Sequence, residues 1–134
     1  MRIGVGLSTA ADAGAAAAEA ALLAREPLIA ATPTLAVLVT SPHHTAQARG
    51  VLEVVHEVAQ PDALVGCVAE AVVAGRREVE GEPAVVVWLA ALSQAAETFR
   101  MEFLRAGSRG LLAGYRFDRA GTDLYLLFAD PHSF

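Results

Sequence analysis

Residues 3–24 read IGVGLSTAADAGAAAAEAALLA, and the fold turns on whether this run crosses a membrane or folds as a strand and a helix. It is long enough to span. Yet Asp12 and Glu19 lie inside it, and an aspartate at a bilayer centre costs about 3 kcal/mol. Alanine and glycine offset little of that. A secretory signal would need a more basic start than Arg2 alone. The strand-and-helix reading follows. Residues 2–7, RIGVGL, form a short first strand. Thr9 and Asp12 have capping-box spacing, and either can cap the next helix. AGAAAAEAALLARE is a strong helix former, ended at Pro27. Leu22 and Leu23 are expected to face the sheet, and Glu19, Arg25 and Glu26 to face water. The alanine-rich face permits a close approach to a neighbour.

Working outward, residues 34–40 of TPTLAVLVTS are apolar on both faces, as in a buried parallel strand. SPHHT turns the chain, with Ser41 or Thr45 as cap. Residues 45–59 carry a helical stripe of Ala48, Val51, Leu52, Val55, Val58 and Ala59. Arg49 and Glu53 sit four apart on the polar side and can pair. ALVGC is the third strand. A small-residue turn or short helix follows, then a charged hairpin around Gly81. AVVVWLAAL is the strongest strand and is expected to be central; it is too short to span a membrane. TFRMEFL alternates like a strand with one wet face. Residues 106–121 read as loop, and TDLYLLFAD as a last strand ended by Asp130-Pro131, with Asp130 and His132 as turn residues. The pattern is a βαβαβ unit followed by further strands: an α/β fold with a mixed sheet packed by helices.

Composition narrows the function classes. The 134 residues are 54% hydrophobic with a net charge of -5, and the mean hydropathy is +0.43. An apolar excess of this kind calls for a membrane or for another domain or subunit that covers it. The abrupt stop after a strong strand reads as a cut between domains. No basic cluster stands out beyond Arg76-Arg77, so no nucleic-acid partner is expected; the charged residues in the first stretch argue against a membrane one. Cys67 is the only cysteine, which excludes a disulfide framework and a multi-cysteine zinc site. All ten basic residues are arginine, so no lysine amine exists for Schiff-base chemistry. Such a composition suits a high-GC bacterial genome, and the strand-and-helix reading of the first stretch, in place of a targeting segment, makes a cytoplasmic protein the expectation.

The chemistry follows from topology. Right-handed βαβ crossovers bring the loops after the first three strands to one sheet edge. Ligands of open α/β sheets bind outside the carboxyl ends of the strands, where helix N-termini present free N–H groups. Ser8, Thr9, Ser41, His43, His44, Gly66, Cys67 and Glu70 are therefore the ligand-binding candidates. A buried cysteine more often behaves as a small hydrophobe, and neighbouring histidines more often sit in a solvated loop. A nucleophilic Cys67 would need His43 or His44 as its base within reach. That is the enzyme alternative: a cysteine-dependent hydrolase or acyltransferase. No metal site has recognisable ligand spacing, and no cofactor is expected. The glycines of GVG at 4–6 lack the rest of a dinucleotide fingerprint.

Residues 5–21 (VGLSTAADAGAAAAEAA), 35–44 (LAVLVTSPHH), 64–90 (LVGCVAEAVVAGRREVEGEPAVVVWLA) and 126–134 (LLFADPHSF) together resemble the N-terminal half of a FIST (F-box and intracellular signal transduction) domain. The most specific parts are VGC with its acidic turn and the closing ADPHSF. The resemblance implies one FIST N-terminal domain over residues 1–134, a fragment of a longer chain that lacks its C-terminal FIST domain. It implies a sensory, signal-transduction role, with a small molecule such as an amino acid as ligand and the C-terminal FIST domain as partner. It supplies no catalytic residues; Gly66 and Cys67 carry over as motif positions only. Many members continue Gly-Cys with a small polar residue and a later glycine, whereas this chain has Val68 and Glu70-Ala71 there.

Overall fold

The computed structural model describes residues 1–117 and 124–129, in two compact units, Met1–Glu97 and Thr98–Phe134. The first unit runs β1 (Arg2–Ser8), α1 (Ala13–Arg25), β2 (Leu35–Thr40), α2 (Ala48–Ala59), β3 (Ala63–Val68), β4 (Ala71–Ala74), β5 (Arg77–Glu80) and β6 (Val85–Ala91). Four strands form one sheet in the order β1-β6-β2-β3. β2 and β3 are parallel, and β6 is antiparallel to both of its neighbours. This is the expected α/β fold with a mixed sheet. β6 is central, as its unbroken apolar run implies. Its insertion means that β1 and β2 run parallel without touching.

The first stretch folds as a strand and a helix. Of the two capping candidates, Asp12 is the one used: its Oδ1 accepts the Ala15 N–H at 2.8 Å. The inward face of α1 is Ala16, Ala17, Ala20, Ala21 and Ala24, all fully buried. Leu22 and Leu23 were expected on that face, but they are 58% and 38% exposed. The reason is steric. A Cβ on Gly4 would lie 1.9 Å from the Ala24 carbonyl oxygen, and one on Gly6 would lie 1.9 Å from that of Ala20. The α1 backbone rests against the bare β1 backbone, and only alanine fits beside such a contact. The role of GVG is thus close helix–strand packing.

Larger side chains supply the burial that alanine cannot. Leu28, Leu38, Val51, Val55, Val85, Val87 and Leu89 form the core between the helices and the sheet. Full burial of each such side chain is worth about 1.5–3 kcal/mol. At the C-terminal ends of the helices, Arg25 donates from Nη1 to the Ala59 carbonyl at 2.6 Å, a cation placed where unsatisfied carbonyls gather. Arg49 and Glu53 pair at 3.4 Å; both are exposed, so the pair is worth a few tenths of a kcal/mol.

The opposite sheet face is partly covered by the β4–β5 hairpin, whose Val72 and Val79 pack with Ala84 and Val86 and against Leu7 and Val39. This hairpin was expected to turn at Gly81. It turns at Gly75-Arg76, with Gly75 at φ +62°, because alternating AVVA and REVE can pair only across that point. Gly81, also at positive φ, leads toward β6 instead.

The second unit contains the antiparallel hairpin β7 (Glu102–Ala106) and β8 (Arg109–Ala113). β8 lies inside the stretch expected to be loop. The pairing follows from Gly107, at φ +63°, which opens a two-residue turn. The Phe99, Tyr115, Phe117 and Tyr125 rings pack together, Phe99 and Tyr115 stacked at 4.0 Å and Phe117 and Tyr125 edge-on at 5.1 Å. Residues 124–129 are not in a strand, although the sequence suggested one. Residues 118–123 and 130–134, with the turn residues Asp130 and His132 and most of ADPHSF, lie outside the described residues. Among the described residues no helix is long and apolar enough to cross a membrane.

Candidate functional site

Because β1 and β2 both oppose β6, and β3 parallels β2, all three of β1, β2 and β3 end on one edge. Register shows it directly: Ser8 and Thr40 both face Val85, and Thr40 also faces Val68. The loops carrying the candidate residues therefore share the carboxyl edge, where α/β sheets bind ligands.

Each candidate then finds its own place. Ser8 is buried; its hydroxyl donates to Glu19 Oε2 and accepts the Ala10 N–H at 3.3 Å. It ties β1 to α1. Ser41 is buried too, and its Oγ accepts the Ala84 N–H at 2.9 Å. The Ser41 N–H returns a bond to the Ala84 carbonyl at 2.9 Å, and Thr40 Oγ1 donates to the same oxygen at 3.2 Å. Both serines are consumed by the fold. Thr9 Oγ1 accepts from Arg77 Nη2 at 3.4 Å, linking the β1 loop to the β4–β5 hairpin. Glu70 is exposed.

Gly66 and Cys67 part company. Side chains alternate along a strand. Gly66 pairs with Leu38, whose side chain faces the helices, and a Cβ there would meet the Leu38 carbonyl oxygen at 2.3 Å. Cys67 pairs with Val39, which packs on the hairpin side. The thiol is half-buried, and burial pushes its pKa up. A raised pKa means less thiolate at neutral pH and a weaker nucleophile. At pH 7.5 iodoacetamide is expected to label Cys67 several-fold more slowly than a free thiol. The labelling rate should keep climbing above the pH at which a free thiol levels off. Labelling faster than glutathione at neutral pH would contradict this placement.

His43 and His44 sit in a 3-10 turn, Pro42–Gln47, that leads into α2. His43 is exposed, whereas His44 is only 2% exposed. The turn faces the start of α1 across a groove of about 360 Å³. Ala11, Asp12, Ala13 and Gly14 line it from the start of α1; His43, His44, Gln47, Gly50, Val51 and Val54 line it from the turn and α2. Two of the eight candidates thus line the groove. Asp12, Gly14, Gln47 and Gly50 are lining residues missing from that set. Gly50 carried a signal: a glycine inside a helical stripe, where a Cβ would meet nothing within 4 Å. Among the described residues, no group of three or more His, Cys, Asp or Glu is arranged to hold a metal ion.

No family model matches the chain. It is 58% identical over 134 residues to the uncharacterized protein Rv0628c of Mycobacterium tuberculosis, covering all of this chain and 35% of that protein. It is 56% identical over 134 residues to the uncharacterized protein Mb0898c of Mycobacterium bovis, covering 34% of that protein. The chain spans about a third of the length of these curated relatives.

Proposed function

We propose that the chain is a small-ligand-binding, sensory domain of the FIST type, acting in the bacterial cytoplasm without catalysis of its own. The observation that carries this reading is the groove at the carboxyl edge, walled by the starts of α1 and α2 and holding a buried histidine. The sequence resemblance supplies the sensory class, an amino acid as one candidate ligand, and a C-terminal FIST domain of the longer protein as partner. Nothing comparable favours the cysteine enzyme. Cys67 pairs with Val39, which packs on the hairpin side, and burial pushes its thiol toward the neutral form.

Differential scanning fluorimetry against amino acids and other small metabolites tests the proposal. A true ligand at a hundredfold excess over its Kd adds about 2.7 kcal/mol. For a chain of 134 residues that raises Tm by roughly 5–10 °C, and for the longer protein by less. If no compound raises the Tm of the longer protein, the reading fails.

A further inference from the structure

We propose that the face of the β1-β6-β2-β3 sheet turned away from the helices is covered by the part of the longer protein that lies outside these 134 residues. The proposal rests on the reading above only for its partner, a further part of the same polypeptide, and needs no ligand. Side chains alternate along a strand, so the residues between the helix-facing Val85, Val87 and Leu89 point the other way. There Val5, Trp88, Val37 and Val65 stand side by side in register across all four strands. Ile3 and Leu35 flank Ala90 one row further on. The β4–β5 hairpin covers the row nearer the carboxyl edge, Leu7, Val86 and Val39. Beyond it Ile3 and Val5 are 40% and 41% exposed, and Leu35, Val37, Val65 and Trp88 are half-buried. Neither row contains a charged residue. A sheet face that meets water carries polar residues. One that stays apolar over four strands, about 14 Å across, has the composition of an interior and calls for a second layer.

The occupant follows from charge and from tethering. An anionic lipid surface attracts clustered cations, whereas the two rows hold none and the net charge is -5. That leaves protein, and Trp88, the only tryptophan of the chain, is the residue type that anchors protein interfaces. About two thirds of Rv0628c lies outside the stretch that matches this chain. A segment on the same polypeptide meets the sheet at an effective concentration in the millimolar range, above that of a second copy in a cell.

Hydroxyl-radical footprinting of the longer protein, read by mass spectrometry, tests the cover without any substitution. Leu52 on α2 is 44% exposed and is the matched reference for Ile3 and Val5. After correction for intrinsic reactivity, Ile3 and Val5 are expected to oxidise several-fold more slowly than Leu52, in protein that light scattering shows to be monomeric. Equal rates would overturn the proposal. Protection that fades as a dimer is diluted would assign the face to a second copy, and protection that needs added anionic vesicles would assign it to a membrane; either overturns it. Photo-leucine incorporated in place of leucine then identifies the cover. Leu35 is expected to cross-link, at single-chain mass, to a peptide outside the 134 residues. Links from Leu35 confined to the 134 residues would overturn the proposal. Neither readout involves a ligand. An unprotected face together with a metabolite that raises Tm removes the docking surface alone, and a protected face with no stabilising metabolite removes the ligand-binding reading alone.

Discussion

Gly6→Ala is expected to destabilise the chain by about 3 kcal/mol, at the upper end of overpacking penalties. The sign is what makes the result informative. Replacing a strand glycine by alanine ordinarily gains stability, because glycine costs more entropy to order. At Gly6 the added Cβ would stand 1.9 Å from the Ala20 carbonyl oxygen and 2.9 Å from the Ala24 nitrogen. These are backbone atoms, so no side chain can swing aside. The helix must lift off the strand, which opens the fully buried alanine interface. Gly50→Ala is the matched control: a Cβ there meets nothing within 4 Å, inside a helix. It is expected to gain up to about 1 kcal/mol. Urea denaturation of both variants reads the two signs, and a neutral or stabilising Gly6→Ala would refute the close packing of α1 on β1.

Ser41→Ala is expected to cost about 2 kcal/mol, the penalty of stranding a buried donor. The stranded group is the Ala84 N–H, which Ser41 Oγ accepts at 2.9 Å in a fully buried position. This bond joins the end of β2 to the start of β6 at the carboxyl edge. A ligand-contacting serine would behave differently: stability would hold and affinity would drop. Here the midpoint in urea should fall, while the affinity of the folded fraction for any groove ligand stays within about twofold. A loss below roughly 0.5 kcal/mol would mean that the Ala84 N–H finds another acceptor.

Much of the architecture was legible because periodicity and helix propensity speak directly. The apolar run of β6 marked a central strand, and the stripe of α2 marked Val51, Val55 and Ala59 as buried, though Leu52 is exposed and Val54 takes a place against the core. α1 was legible as a helix but not in its orientation. Hydrophobicity alone puts Leu22 and Leu23 inward; the deciding fact is the absence of side chains at Gly4 and Gly6, on another element. β8 was missed because arginine and glycine look like loop until Gly107 supplies the turn. The candidate site was legible as an edge rather than as a pocket. Strand direction brings Ser8, Ser41, His43 and His44 to one end of the sheet, but hydrogen-bond bookkeeping assigns the serines to the fold. The side of the sheet on which Cys67 lies depends on register, which a single strand does not announce.

The place of β6 bears on how the molecule comes into being. β1 and β2 are made early, yet the strand that joins them spans Val85–Ala91. Until those residues arrive, β1 has no strand partner, and β2 can pair only with β3. The helices α1 and α2 meanwhile have only half a platform. Pairings of such sequence separation are slow to close, and a nascent chain ending before Val85 would display unpaired strands and apolar helix faces of the kind that aggregate. The four-stranded sheet therefore cannot be completed before Val85–Ala91 are available, because that one strand pairs with both β1 and β2.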